Sequence, residues 1–170
     1  MAIGNKYRAL YRKLKLKTIH TYVYSLPDGA LIQMAQSHPI EQATHHKPSN
    51  FAIINNKLTK ARSCYYIRLN DEVAHISWVF SKNLLARQLG FKNNYVIGDC
   101  QTFDKYKGRG LYGQTVGYII NNNPEKRFIL FIDPNNVASI RGVEKIGLTP
   151  IGLYSVKRVL GFAFCIKKYG

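Results

Sequence analysis

The chain of 170 residues is 46% hydrophobic and carries 25 Lys and Arg against 9 Asp and Glu, a net charge of +16. This length fits one domain with one core, and no apolar run reaches the roughly 20 residues of a membrane-spanning helix. The charge favours anionic partners and disfavours basic acceptors such as polyamines. Three cysteines without a metal signature, and an N-terminus without an apolar signal core, indicate a reducing compartment. We therefore predict a single cytoplasmic domain over residues 1–170 with no bound metal.

The first sixty residues predict one helix, one strand and an ambiguous segment. Apolar residues from Tyr7 to Leu14 recur with helical spacing, and the opposite face is basic. Such a helix fits packing on a sheet with its lysines reaching solvent, and the alternative is contact with a membrane surface. A strand follows over 18–26 and ends in a Pro-Asp-Gly turn. In the ambiguous segment, the pattern favours a helical turn over 29–36 and a helix over 50–61 that Ser49 would cap.

The rest of the chain predicts a clearer alternation of strands and helices. Strands over 63–69 and 73–80 form a predicted hairpin, because the turn residues Asn70, Asp71 and Glu72 separate them. The later elements, in chain order, are a helix over 81–90, a strand over 95–103, a helix over 110–122, a strand over 127–133, a helix over 136–147 and two strands within 149–169. This order indicates an α/β protein.

Residues 107–115, KGRGLYGQT, fit three phosphate-binding patterns. The glycines spell G-x-G-x-x-G, the dinucleotide fingerprint, and Asp133 ends the next strand at the position of a ribose-binding acid. However, four residues separate this motif from the preceding strand, and too little chain follows Asp133 to complete a doubly wound parallel sheet. A P-loop needs a lysine where Gln114 stands, because that lysine reaches the β- and γ-phosphates. Both patterns therefore fit the chain poorly.

The third pattern extends over residues 99–148, which resemble the GNAT superfamily of acyl-CoA-dependent N-acyltransferases. The loop of that family reads Q/R-x-x-G-x-G/A, and Lys107, Gly110 and Tyr112 hold those positions. A second landmark, NNVASIRGVEKIGL over 135–148, is similar to the family's Asn-x-x-Ala/Ser-Ile…Glu-Lys-x-Gly-Phe helix. The resemblance implies a mixed, mostly antiparallel sheet flanked by helices, in which a splayed pair of strands holds the acyl-CoA.

The same resemblance implies a site for acetyl-CoA. Backbone N–H groups at the start of the 110–122 helix would bind the pyrophosphate. The end of the 95–103 strand would pair with the pantetheine amides and polarise the thioester carbonyl. Lys105 and the two basic residues after it would raise the local positive potential. The residues implied to bind acyl-CoA are Gln101, Thr102, Phe103, Lys107, Gly108, Arg109, Gly110, Leu111, Tyr112, Gly113, Asn136 and Ser139.

Acyl transfer to an amine also needs catalytic groups. Asp99 and His75 are the candidates for the base, with purely structural roles as the alternative for both. By the two-residue alternation of a strand, Asp99 shares a face with the predicted thioester-binding residues. The resemblance implies direct attack in a ternary complex, but the tyrosine that serves the family as acid falls on Val143. Tyr112 and Tyr154 are the candidates for that acid, and water is the alternative.

We predict an N-acetyltransferase that joins acetyl-CoA to a small anionic amine, such as a nucleotide-linked amino sugar of surface polysaccharide synthesis. The positive charge is the reason for an anionic acceptor. Two alternatives stay open. The charge and the abundant Tyr and Phe favour an RNA-binding module, although no RNA-binding motif is present. The valine at position 143 favours an acyl-CoA-binding regulator without catalysis. The partner predictions also include a homodimer.

Overall fold

A computed structural model describes residues 17–33, 36–159 and 162–169. The helix predicted over 7–14, and with it the membrane contact, lies outside the described residues. Within the described part of the chain, no helix is both long and apolar enough to cross a membrane.

Strands dominate the described chain, and its helices are short. The strands are β1 Lys17–Ser25, β2 Ile40–Ala43, β3 Arg62–Leu69, β4 Glu72–Phe80, β5 Tyr95–Thr102, β6 Phe128–Ile132, β7 Thr149–Val159 and β8 Phe162–Tyr169. The helices are α1 Ala52–Asn55, α2 Leu84–Gln88, α3 Leu111–Asn121 and α4 Val137–Glu144, and a 3₁₀ turn covers Asp104–Tyr106.

The strands form one sheet in the order β2-β3-β4-β5-β6-β1-β7-β8. Every neighbouring pair is antiparallel except β5 and β6, which are parallel because α3 connects them as a crossover. This arrangement confirms the mixed, mostly antiparallel sheet implied by the resemblance. It also excludes the doubly wound parallel sheet that a dinucleotide fold requires.

Local sequence signals account for several element ends. In the β3–β4 hairpin, Asn70 and Asp71 have φ of 50° and 60°, and these residue types tolerate the left-handed region that the tight turn needs. The side chain of Asn83 caps α2 by accepting from the Ala86 N–H at 3.0 Å. Gly90 follows α2 with φ of 93° and ends it. The hairpin and the predicted helix stop are both confirmed.

Helices cover both faces of the sheet. On one face, α3 and α4 bury Val116, Ile119 and Val143 against Leu130 of β6. On the opposite face, Ala86 of α2 packs among strand residues that include Val23, Val96, Ile129 and Val156. Further along this second face, Ile54 of α1 packs with Trp78, which is fully buried. The two faces are called the α3 face and the α2 face below.

The segment between β1 and β3 departs from the sequence-based interpretation. The helix expected over 50–61 is the single turn α1, and Phe51 rather than Ser49 occupies its N-cap. Ser49 instead donates from its N–H and its hydroxyl to Asn55 Oδ1. Residues 30–33 form no helix, and the short strand β2 escaped prediction because its four residues show no clear alternation.

Candidate functional site

Strands β5 and β6 run side by side for only three residue pairs and then separate. The pairs begin with Tyr95 opposite Phe128 and end with Ile97 opposite Leu130. Beyond this point, and as far as Thr102, β4 is the one described strand that pairs with β5. The strand therefore presents a free backbone edge to the gap, and an extended ligand can add to such an edge as a further strand.

A bulge interrupts the free part of β5. The register with β4 shifts by one residue between Gly98 and Gln101, so that Asp99 and Cys100 lie opposite Ser77 alone. Asp99 has φ of 47°, in the left-handed region that few residues other than glycine adopt. The simple alternation of side chains, on which the sequence interpretation of Asp99 depended, stops at this bulge.

Beyond the bulge, the backbone of β5 has a defined orientation. The Phe103 N–H donates to the Ala74 carbonyl on β4 at 3.1 Å. Because N–H directions alternate along a strand, the Thr102 N–H points to the opposite side, into the gap between β5 and β6. Gln101, the residue before Thr102, is exposed.

The loop after β5 leads directly into the N-terminus of α3. Gly108 and Gly110 have φ of 77° and 73°, which glycine adopts without a Cβ penalty. Gly110 is the N-cap residue of α3, and no side chain caps the helix there. A Cβ placed on Gly110 would meet no heavy atom within 4 Å. The first N–H groups of α3, which begins at Leu111, thus have no side-chain cap among the described residues, and such a helix end fits an anion.

Two of the three basic residues of this loop already have acidic partners. Lys105 pairs with Glu72, and Lys107 pairs with Asp104 at 2.6 Å. The guanidinium of Arg109 lies 5.5 Å from the centre of the Tyr106 ring, and it has no acidic partner among the described residues. Of the three cations expected to raise the local potential, Arg109 is thus the one free to face a phosphate.

Glycines allow α3 and α4 to cross closely. A Cβ on Gly113 would lie 3.0 Å from the Gly142 carbonyl oxygen, and a Cβ on Gly142 would lie 2.9 Å from the Tyr112 ring. The absence of a side chain at Gly113 thus lets the two helices approach each other. The next residue, Gln114, is buried against Ser37 of the segment before β2. It does not face the loop as a P-loop lysine does.

The N-terminus of α4 is capped by its own first residues. The side chain of Asn136 accepts from the Ser139 N–H at 3.1 Å. Asp133, at the end of β6, accepts from the Asn135 N–H at 2.8 Å. The start of α4 follows the end of β6, just as the start of α3 follows β5, so both helices begin at the edge of the sheet where the two strands separate.

A buried polar cluster lies on the α3 face of β4 and β5. His75 is fully buried, and its Nδ1 and Nε2 lie 2.7 Å and 2.8 Å from the hydroxyls of Thr102 and Ser77. Burial lowers the pKa of His75 to about 4, so the imidazole is neutral at physiological pH. The Tyr112 ring lies 6.1 Å from the His75 ring. Burial also raises the pKa of the Tyr112 phenol well above its usual range, so the phenol keeps its proton.

Asp99 lies on the other side of the same strand. Its Oδ2 accepts from Arg62 Nη2 at 2.8 Å, and two-thirds of its side chain is exposed (66%). The Arg62 guanidinium is itself 4.2 Å from the centre of the Trp78 ring and 4.7 Å from that of Phe80. Trp78 and Phe80 alternate with Ser77 along β4, which places the Asp99 carboxylate on the α2 face. Tyr112 and Asp99 thus lie on opposite faces of β5.

Two cavities lie elsewhere in the molecule. One, of about 650 Å³, is lined by residues within 25–33 and 120–129 and by Phe91, Asn94 and Ile151. The other, of about 380 Å³, lies between the β2–β3 connection and the beginning of β5. Neither is lined by a residue between Gly98 and Gly113. The free edge of β5 is thus distinct from both cavities.

Comparison with known proteins gives a consistent result at the level of fold. No protein-family model and no curated protein matches the sequence. Among solved structures, an acetyltransferase of the GNAT family from Novosphingobium aromaticivorans superposes with a TM-score of 0.63 at 13% identity over 83% of this chain and 64% of its own. A GCN5-related N-acetyltransferase-like protein from Streptococcus suis gives a TM-score of 0.57 at 11% identity over 93% of this chain and 68% of its own.

The chain has the GNAT fold. A GNAT-family acetyltransferase from Colwellia psychrerythraea agrees, with a TM-score of 0.54 at 13% identity over 94% of this chain and 62% of its own. The chain thus spans less than two thirds of the length of two of these three structures. The fold predicted from the two sequence landmarks is confirmed.

Within the GNAT fold, the structure brings most of the predicted site residues together but leaves one apart. Tyr154 of β7 packs on the α2 face, with its ring 6.2 Å from that of Phe91, and it is buried. Val143, at the position of the family's tyrosine, is fully buried in the core between α4 and the sheet. Of the two tyrosines expected as acids, Tyr112 lies at the start of α3 beside His75.

Sequence analysis missed two residues that contact the predicted ones. Arg62 binds the carboxylate of Asp99, and Ser77 holds His75 from the side away from Thr102. Arg62 lies on β3 and Ser77 on β4, the two strands that come before β5 in the order of the sheet, and no local motif marks either residue. The one available signal was the alternation in VAHISWVF, which places His75 and Ser77 on the same face.

Proposed function

We propose that this protein is an acyl-CoA-dependent N-acyltransferase that transfers an acetyl group to the amine of a small anionic acceptor. The observation that carries the proposal is the free edge of β5 beside the uncapped N-terminus of α3. The edge of β5 fits an extended chain with amide groups, and the N-terminus of α3 fits a pyrophosphate. Acyl-CoA contains both groups in one molecule.

The residues present fit acetyl-CoA as a substrate. The N–H groups of Leu111, Tyr112 and Gly113 would bind the pyrophosphate, with Arg109 supplying positive charge. The edge from Gln101 to Phe103 would pair with the pantetheine amides. Asn136 and Ser139, at the start of α4, belong to the same end of the sheet. Lys107 and Gly108 shape the loop between these parts.

The two faces of β5 support direct transfer. The acceptor amine would approach the thioester carbonyl from the α2 face, where the Asp99 carboxylate takes a proton as the C–N bond forms. The Thr102 N–H, which points into the gap, would stabilise the carbonyl oxygen as it becomes negative. The C–S bond then breaks, and the CoA thiolate receives a proton from solvent. The products are the N-acetylated acceptor and free CoA.

Tyr112 is better suited than Tyr154 to assist the leaving sulfur. Tyr112 lies on the α3 face beside His75 and keeps its proton, so its hydroxyl can donate a hydrogen bond to the thiolate. A thiol with a pKa near 8.5 needs little further help to leave. His75 is poorly suited to act as the base, since it is fully buried and both its nitrogens are engaged. We therefore assign His75 to holding Thr102.

The proposed acceptor is a small amine that carries negative charge, such as a nucleotide-linked amino sugar of surface polysaccharide synthesis. The support is the net charge of +16. A strongly basic enzyme attracts anionic substrates and repels cationic ones over distances of about 10 Å at 0.1 M salt. A screen for CoA release from acetyl-CoA, with amino-sugar nucleotides, amino acids and polyamines, tests this choice directly.

We expect CoA to bind and to stabilise the folded protein. At a ligand concentration 100-fold above Kd, binding adds about 2.7 kcal/mol to the free energy of unfolding, and this appears as a rise in melting temperature. Gly110→Val should abolish the rise, because a branched side chain would occupy the open space in front of α3. No shift with millimolar CoA in the wild-type protein would overturn the proposal.

Gly90→Val is the matched control for that experiment. Gly90 also has a positive φ (93°), and a Cβ there would also meet no heavy atom within 4 Å. The two substitutions therefore impose a similar backbone strain, but only Gly110 lies at the start of α3. CoA should still raise the melting temperature of the Gly90→Val protein. Equal loss in both variants would mean that strain, and not contact with the ligand, explains the effect.

Asp99→Asn should lower kcat by about 10²- to 10⁴-fold, the usual contribution of a general base. The amide keeps the size of the side chain but cannot accept the proton. The affinity for CoA, measured by calorimetry, should stay within a factor of a few. A loss of less than tenfold would assign the proton transfer to solvent. Binding of CoA without any release of CoA from acetyl-CoA would favour a catalytically inactive regulator.

A further inference from the structure

The guanidinium of Arg62 occupies an unusual setting on the α2 face. Its side chain is only 21% exposed, and its carbon Cζ lies over both the Trp78 and the Phe80 rings. The Nε atom is buried and has no hydrogen-bond partner in the part of the chain that the structure describes. Stacking on aromatic rings stabilises a guanidinium that is partly removed from water. Arg62 is therefore held in one orientation, with Nη2 directed at Asp99.

Asp99 needs such a partner more than an ordinary strand residue does. Its backbone lies in the left-handed region at the bulge, which costs about 1–3 kcal/mol for a residue other than glycine. Its side chain is mostly exposed, so packing does not fix its rotamer. Arg62 engages Oδ2 at 2.8 Å, whereas Oδ1 has no hydrogen-bond partner among the described residues. One oxygen is anchored and the other is free to accept a proton or an N–H.

We propose that Arg62 is a positioning residue of the acyltransferase site, which fixes the Asp99 carboxylate on the α2 face so that Oδ1 meets the incoming amine. This inference rests on the proposed function. In this role Arg62 contacts neither the acceptor nor acyl-CoA. Arg62 acts by holding Oδ2, while the acceptor proton moves to Oδ1 as the new C–N bond forms. An unanchored carboxylate would rotate, and errors of position of about 1 Å cost up to 100-fold in rate.

The test combines Arg62→Met with Asp99→Asn. Methionine keeps apolar contact with the two rings but removes the charge and the donor. With acetyl-CoA and the amine that the wild-type protein uses fastest in the acceptor screen, Arg62→Met should lower kcat about 10- to 100-fold. The KM for acetyl-CoA should stay nearly constant. In the Asp99→Asn background the same substitution should cause little further loss, because Arg62 acts only through Asp99.

Two further variants separate this role from a structural one. Arg62→Lys restores the positive charge and should recover part of the lost kcat. Arg68 lies on the same strand and pairs with Glu41 and Asp71 on the surface. Arg68→Met therefore removes a cation from β3 without touching Asp99, and it should leave kcat unchanged. Equal losses from Arg62→Met with and without Asp99→Asn would overturn the inference, as would an unchanged kcat. A wild-type protein that neither binds CoA nor releases it refutes the proposed function, and the role of Arg62 with it.

Discussion

His75 illustrates how burial changes the chemistry of a single residue. Its sequence position suggested a base, but the imidazole is fully buried between two hydroxyls. Burial penalises the charged form and lowers the pKa to about 4. One nitrogen must donate and the other must accept, so the neutral ring satisfies both hydroxyl partners at once. The residue thereby links the stability of the sheet to the position of Thr102.

This pKa has a consequence for stability in acid. In the unfolded chain His75 takes up a proton with a pKa near 6.5, and in the folded chain only near 4. Between these values the unfolded state binds more protons, so the free energy of unfolding rises with pH. The contribution of His75 is complete above pH 6.5 and is lost as the pH falls toward 4. It amounts to about 3 kcal/mol, and urea unfolding at a series of pH values measures it.

His75→Gln should flatten the pH dependence in that window, because glutamine can bond to a hydroxyl without titrating. His46→Gln is the control, since His46 is exposed and should leave the wild-type slope unchanged. If the His75→Gln protein loses stability between pH 6.5 and 4 as steeply as the wild type does, other groups cause the acid sensitivity.

At the scale of elements, the crossing of α3 and α4 fixes the site. Both helices start at the edge where β5 and β6 separate, and Gly142 lets the Tyr112 ring lie directly on α4. The position of Tyr112 beside His75 depends on this contact. A larger residue at 142 would push the ring toward the gap, so packing between the helices and access to the edge of β5 are coupled.

We expect Gly142→Ala to destabilise the protein by about 1–3 kcal/mol, as overpacking in a tight contact does. The new Cβ would lie 2.9 Å from Tyr112 Cδ1, so the ring must move despite the better helix propensity of alanine. Gly98→Ala is the control, because its Cβ would meet nothing closer than 3.7 Å. Thermal unfolding of both variants checks the expectation. A Gly142→Ala protein more stable than the wild type would contradict this account of the crossing.

At the scale of the whole molecule, the net charge of +16 is the dominant feature. A charge of this size favours the binding of any polyanion, so we expect the protein to bind RNA through charge alone at low salt. Counterion release makes such binding collapse by about 10³- to 10⁵-fold between 50 and 200 mM salt for six to ten phosphate contacts. A site with directed N–H donors and a paired strand edge depends less on salt, because CoA carries only a few phosphate charges.

A salt series therefore separates the two functions. Filter binding of a single-stranded RNA should weaken steeply between 50 and 200 mM NaCl. CoA binding, measured by calorimetry in the same buffers, should weaken much less. RNA binding that stays tight at 200 mM salt and is not displaced by CoA would favour the RNA-binding module over the acyltransferase.

The order of the elements from the hairpin onward, and with it the fold, could be predicted from the residues. These predictions depended on local signals: the Asn-Asp turn, the glycines that end helices and the alternation along strands. Each of these features is set by interactions between residues close in the chain. The loop from Lys107 to Gly110 was likewise predictable, because only glycine adopts its positive φ angles freely. The segment between β1 and β3 could not be predicted, because a short element such as β2 forms only when a neighbouring strand pairs with it.

The arrangement of the candidate catalytic groups depends on tertiary contacts. A one-residue shift of register at the bulge puts Asp99 within reach of Arg62, 37 positions away in the chain. Burial leaves His75 neutral between the hydroxyls of Thr102 and Ser77. Helix packing places Tyr112 beside His75, whereas Tyr154 packs on the α2 face. These outcomes depend on which strands pair and how the helices cross. No local pattern of residues encodes such contacts, because their energies arise only once distant segments have met.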